Sequence, residues 1–116
     1  MSLVSDKPKI VCICGSGRFV EQWHAATRRE GLAGRIVLGL AVMVGPDETE
    51  ISHDSPEKGI LDELHLRKID LCDEILVLDV DGYTGESTMA EMKYARSLLK
   101  PIRFWSKELG DEVPNS

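Results

Sequence analysis

Lys9-Ile10-Val11-Cys12-Ile13-Cys14 is a short, continuous apolar run that stops abruptly at Gly15-Ser16-Gly17. A run this short and this uniform fits a strand buried on both faces, and the glycines behind it mark a tight turn. The period then changes. Over residues 18 to 33, Val20, Trp23, Ala26 and Thr27 form one helical stripe, Glu21, Arg28, Arg29 and Glu30 surround it, and Gly31 or Gly34 supplies the stop. Arg35 to Val44 reads as a second apolar strand, and Gly45 to Pro56 as a polar loop long enough to suggest a functional segment. Helical spacing returns at Glu57 to Leu71, where Leu61, His65, Ile69 and Cys72 share a stripe flanked by Ile60, Leu64 and Leu71. Glu74 to Val80 is a third strand, Asp81 to Ser87 a glycine-bearing loop, and Ser87 to Lys100 a helix stopped by Pro101. A last strand runs through Trp105, and the tail after Lys107 is expected to fray.

Strand and helix alternate throughout, which predicts a single α/β domain with a mostly parallel sheet of four to five strands and helices on both faces. The domain spans residues 1 to 116, with its core at about 9 to 105. In such sheets ligands bind beyond the carboxyl ends of the strands. That rule selects Gly15 to Phe19, Gly45 to Pro56, and Asp79 to Ser87.

Composition excludes several classes. The 116 residues are enough for one core and too few for two. The longest nearly uninterrupted apolar run, Ile36 to Gly45, has ten residues, about half of what a membrane span needs, and no secretory signal opens the sequence. A cytoplasmic protein with no membrane partner is expected. Net charge is -6, with an excess of +3 over residues 1 to 35 and -9 over the remainder. A nucleic-acid polymer is therefore not expected as a partner, whereas a small anion near the first third suits the charge. Cys12, Cys14 and Cys72 read as reduced, buried thiols. No C-x-x-C or H-x-x-x-H spacing supports zinc, so no metal is expected.

Several residues in the selected segments suit chemistry. Gly15, Ser16, Gly17 and Arg18 join a strand to a helix N-terminus, where close backbone approach, partial positive charge and a fixed cation suit a phosphate or carboxylate. The same residues also make an ordinary turn. Phe19, just beyond them, is placed to stack on a flat base. Thr88-x-x-Glu91 matches a capping box, yet a carboxylate at the start of a helix at the sheet's mouth also suits a nucleophile toward a cationic carbon. His65 lies on an apolar stripe and is either a packed imidazole or a catalyst. Asp79 and Asp81 can orient a sugar hydroxyl or form turns. Aromatics are scarce in these loops, which disfavours a flavin, and no cofactor is expected.

Cys14-Gly15-Ser16-Gly17-Arg18-Phe19, followed by Gly85-Glu86-Ser87-Thr88-Met89-Ala90-Glu91-Met92-Lys93-Tyr94-Ala95 and Lys100-Pro101-Ile102, resembles the nucleoside 2-deoxyribosyltransferase superfamily, which includes the 2'-deoxynucleoside 5'-phosphate N-hydrolases. The resemblance covers about residues 9 to 105 and is most specific at Glu91-x-x-Tyr94-Ala95 with Lys100-Pro101. It implies a flavodoxin/Rossmann-like fold that cleaves the N-glycosidic bond of a deoxynucleoside or its monophosphate, as hydrolase or transferase. Glu91 matches the nucleophile, which would form a covalent deoxyribosyl-enzyme with net retention. Gly15, Ser16 and Arg18 match the ligand-contacting first loop, and Ser87, between Gly85 and Thr88, falls where the hydrolases hold the 5'-phosphate. His65 stands where the family carries an Asp that assists the base and sugar, with Asp62 one turn earlier as the alternative acid. The resemblance also implies a homo-oligomer. The rival expectation, favoured by His65 in place of that Asp, is a nucleotide-binding module without turnover.

Overall fold

The computed structural model describes residues 2–40 and 54–112. Among these, β1 (Ile10–Cys14), β2 (Ile36–Leu38), β3 (Glu74–Val77) and β4 (Ile102–Phe104) form one sheet. The helices are α1 (Val20–Leu32), α2 (Pro56–Leu71), α3 (Glu86–Ser97) and α4 (Trp105–Glu112). The sheet order is β2-β1-β3-β4, and every pairing is parallel. β1 lies at the centre, with Ile10 opposite Ile36 on one side and Val11 opposite Glu74 on the other.

Alternation along the buried strands builds two cores. Val11, Ile13, Leu76 and Leu78 pack with Trp23 and Ala26 of α1 and Trp105 of α4. Cys12, Cys14, Ile75 and Val77 pack on the opposite face with Ile69 of α2, Cys72 and Ala95 of α3. Both faces are thus covered, as the uniform apolar runs require. The result is a Rossmann-like α/β domain.

The elements differ from the sequence expectation in instructive places. The second strand pairs only over Ile36–Leu38, and residues 41–44 lie outside the described residues. The long loop expected from Gly45 also lies outside them up to residue 53. At its end Ser55 caps α2, its Oγ accepting from the Lys58 amide at 3.3 Å, and Pro56 takes the first helical position, where its missing N–H costs nothing. In α1 the buried stripe is Trp23, Ala26 and Glu30, while Val20 and Thr27 are exposed. Gly34, at φ +87°, supplies the left-handed stop, and the Arg35 amide bonds back to the Glu30 carbonyl at 3.1 Å. Leu99 takes the same conformation after α3 at φ +58°, so the helix ends ahead of Pro101. Lys100 then donates its Nζ to the carbonyls of Ile69, Asp70 and Cys72 at 2.7 to 2.8 Å, satisfying the end of α2.

Glu30 is buried because Arg103 meets it. The Arg103 guanidinium donates to Glu30 at 2.7 and 3.0 Å, to Glu74 at 2.9 Å and to Glu108 at 2.8 and 2.9 Å. One side chain of β4 therefore ties α1, β3 and α4 together. Trp105 starts a helix instead of ending a strand, and the segment after Lys107 continues it to Glu112, with Glu108 held by both Arg103 and Arg29. Sequence periodicity cannot foresee this, because the order of the tail comes from partners far away in the chain.

Burial pushes the Glu30 and Glu108 carboxyls up, but the hydrogen bonds and charge of Arg103 outweigh it and hold both below the usual value of 4.5. A carboxylate with a depressed folded pKa stabilises the fold above its unfolded pKa, and that contribution is lost as pH falls through the lowered folded value. Arg103→Met should cost roughly 3–5 kcal/mol at neutral pH by stranding the buried charge of Glu30. The Tm gap between wild type and variant should narrow as melts are taken to acid. A gap that holds constant down the pH series contradicts the network's role.

Candidate active site at the carboxyl end of the sheet

After β1 the chain turns to β2 on one side, and after β2 it returns by α2 to β3 on the other. The crevice of a parallel sheet opens where the strand order reverses in this way. A Cβ placed on Gly15 would lie 2.9 Å from Leu78 Cβ, so the turn after β1 passes the end of β3 only because residue 15 lacks a side chain. The Leu78 amide donates to the Cys14 carbonyl at 2.8 Å and fixes this crossing.

The first loop is folded by Ser16. Its carbonyl accepts from the Phe19 amide at 3.2 Å and from Trp23 Nε1 at 2.9 Å, and its Oγ accepts from the amide and Nε of Arg18 at 3.3 and 3.1 Å. Arg18 is thereby aimed across the crevice, its guanidinium carbon 4.8 Å from the centre of the Tyr83 ring. Phe19 meets Tyr83 edge to face at 5.9 Å and packs partly on the core beside it, so these two rings form a wall on which Phe19 is not free. Gly17 is exposed at the rim. On the far side Lys58 of α2 donates to Ser87 Oγ at 3.3 Å and pairs with Asp62. The loop after β1 meets the segment ahead of α3 where Arg18 donates to the Tyr83 hydroxyl at 3.4 Å.

α3 begins one turn's fraction earlier than its sequence suggests. Gly85 is the N-cap, Ser87 is exposed in the first turn, and Thr88 is buried within it. The capping-box reading of Thr88 and Glu91 is corrected accordingly: the hydroxyl is inside the helix, and Glu91 lies in the second turn, pointing toward α2 and β1. Its Oε1 stands 4.0 Å from His65 Nε2. His65 is 5% exposed, and its Nε2 is 3.6 Å from the Cys12 sulfur. Cys12 Sγ, Cys14 Sγ and a His65 ring nitrogen all fall within 4.8 Å of one another. All three cysteines are free thiols and buried.

The electrostatics of this cluster are coupled. The hydrogen bond from Cys14 and the adjacent imidazole bring the Cys12 thiol down to about 5, while the same bond and burial push Cys14 well up. Burial alone would lower His65, yet its bond to Cys12 and the nearby charges of Cys12 and Glu91 raise it. Burial raises Glu91, opposed by the charge of His65. The site therefore holds a desolvated carboxylate beside an imidazole biased toward its cationic form.

Asp79 and Asp81 do not join this cluster. Asp79 is buried with both oxygens committed, accepting from the Ser106 amide at 2.8 Å and the Ser106 hydroxyl at 2.6 Å at the start of α4. Asp81 is exposed in a left-handed turn at φ +54°. Asp62 is occupied by Lys58 near the rim. Sequence reasoning overlooked Cys12, Cys14, Lys58 and Tyr83 as site residues. A signal for the cysteines existed: two positions apart on a strand, they share the face toward which the His65 stripe of α2 turns.

No family model, curated protein or solved structure matches the chain. Among the described residues, no helix is long and apolar enough to cross a membrane.

Asp79→Ala should destabilise the protein by about 1 kcal/mol, the usual cost of losing a helix-start acceptor, because the α4 terminus loses its partner. Ligand-induced thermal shifts should be unchanged. A variant of normal Tm that loses ligand binding would instead place Asp79 on the ligand.

Proposed function

We propose that the chain hydrolyses the N-glycosidic bond of a small 2'-deoxynucleoside or its 5'-monophosphate, with Glu91 as nucleophile and His65 as the acid that serves the departing base. The observation that carries the reading is the Glu91–His65 pair, 4.0 Å apart and largely buried between α2 and α3. A Glu91 oxygen attacks C1', the C1'–N bond breaks with its electrons leaving on the base, and the His65 imidazolium protonates that base. Water then attacks C1', His65 takes the water's proton, and the ester bond to Glu91 breaks, giving net retention. A desolvated anion beside the developing oxocarbenium centre lowers the barrier where charge forms.

The rim supports a phosphate-bearing substrate. Arg18 in the loop after β1, and Lys58 beside Ser87, supply two cations and a hydroxyl, Lys58 being paired with Asp62 until an anion competes for it. Binding energy from this non-reacting group can be used at C1'. The Tyr83 ring suits the flat base once the Arg18 guanidinium that lies over it turns to the phosphate, with Phe19 supporting that ring edge to face. Ile60, Leu64 and Leu71 lie exposed along α2, an apolar surface consistent with a homo-oligomer. The second reading, a nucleotide-binding module without turnover, draws on one distance: His65 Nε2 is closer to the Cys12 sulfur, at 3.6 Å, than to Glu91.

Glu91→Gln distinguishes the two readings. The amide keeps the shape of the side chain but forms no glycosyl ester, so base release, followed by chromatography on deoxynucleoside monophosphates, should fall by orders of magnitude while Tm and ligand binding persist. Base release near the wild-type rate from the folded variant refutes Glu91 as nucleophile. A wild type that binds deoxynucleotides and releases no base supports the binding module.

A further inference from the structure

We propose that Cys12, Cys14 and His65 form a binding site for one thiophilic divalent cation of the zinc class, with Glu91 beside the fourth ligand position. Two features of the fold make the site. Cys12 and Cys14 alternate onto the same face of β1, and α2 lays His65 across that face, so two sulfurs and one nitrogen from distant segments lie within 4.8 Å of one another. Zinc–sulfur bonds of about 2.3 Å and zinc–nitrogen bonds of about 2.0 Å set the edges of a tetrahedral site at about 3.3–3.8 Å. The Cys12 sulfur and His65 Nε2 stand 3.6 Å apart, and Glu91 Oε1 stands 4.0 Å from the same nitrogen.

Burial and donor chemistry point the same way. Cys12 and Cys14 are fully buried and His65 nearly so, which excludes competing water, while the Glu91 side chain, 12% exposed, leaves a route in from the crevice. Two thiolates with one imidazole select a soft or borderline ion over magnesium or calcium. Binding needs both sulfurs as thiolates and the imidazole neutral, so whatever protons the three ligands carry go to solvent, leaving a dication held by two thiolates, a neutral imidazole and the adjacent carboxylate. Cys72 shares the same apolar core, but its sulfur donates to the Ile69 carbonyl at 3.1 Å and lies outside the ligand group.

The site stands independently of the glycoside-cleaving reading. If that reading holds, a bound ion takes the Nε2 that would protonate the base, so the metal-loaded and cleaving states exclude each other. The test is made without substrate, which keeps the failure of either idea distinguishable from failure of the other. Full-length protein, reduced and kept anaerobic, is titrated with cobalt(II) and followed by absorption, then back-titrated with zinc. The expected result is one cobalt per chain with a sulfur-to-cobalt charge-transfer band and intense tetrahedral bands, all removed by zinc. Cys72→Ser should retain this spectrum. Cys12→Ser and Cys14→Ser should each lose charge-transfer intensity, and His65→Gln should weaken zinc binding by more than about a hundredfold, since even residues that only orient a ligand cost 10–100-fold. Folded wild type that shows only the weak absorption of hydrated cobalt overturns the proposal. So does a spectrum lost as fully in a folded Cys72→Ser as in a folded Cys12→Ser, folding being checked by thermal melts, whereas the wild-type spectrum alone decides the first outcome.

Discussion

The close passage of β1 over the end of β3 sets the rest of the molecule. At Gly15 there is no room for a side chain, because Leu78 Cβ would lie 2.9 Å away. With that approach fixed, the turn after β1 and the segment after β3 share one opening, and Arg18 of the first reaches Tyr83 of the second. The same passage puts the last two inward-facing residues of β1 beneath α2 and α3. Those residues are cysteines, and the groups above them are His65 and Glu91.

Polar side chains at the two faces of the sheet are handled in opposite ways. On the α1 and α4 side, Glu30, Glu74 and Glu108 converge on Arg103, so buried charge is neutralised by a cation that links four elements. A paired arrangement of this kind fixes geometry and carries no reactive group. On the α2 and α3 side the carboxylate of Glu91 has a titratable imidazole and two cysteine sulfurs near it and, among the described residues, no guanidinium paired with it. Groups left poised in this way, at a strand-end crevice, are where function is expected. The stability of one face and the chemistry of the other follow from which partners the sequence supplies to buried acids.

Much of this was legible in the sequence. The apolar run at Lys9 to Cys14 and the change of period after Gly17 are enough to predict a parallel sheet with two helical layers, because both features reflect local periodicity. The strand-end rule selects the loops at Gly15 and Ser87 from element order alone. What local reasoning misjudged depends on contacts between distant residues. The spacing of Thr88 to Glu91 fits a cap, but Gly85 caps the helix and Thr88 is buried in its first turn. Asp79 suited a sugar contact until Ser106 claimed both its oxygens. Glu108 belonged to a frayed tail until Arg103 held it. The Cys12, Cys14 and His65 cluster escaped spacing rules altogether, since its members are gathered by a strand and a helix more than fifty residues apart.

The proposed reaction turns on Glu91 as the nucleophile that takes the sugar from the base. The most direct measurement is mass spectrometry of the wild-type protein, quenched by acid during incubation with a deoxynucleoside monophosphate and digested to peptides. The expected result is a deoxyribosyl-phosphate adduct, confined to the peptide that contains Glu91 and missing from protein incubated without substrate. Release of free base with no adduct, or with the adduct on another residue such as Cys12, would contradict it.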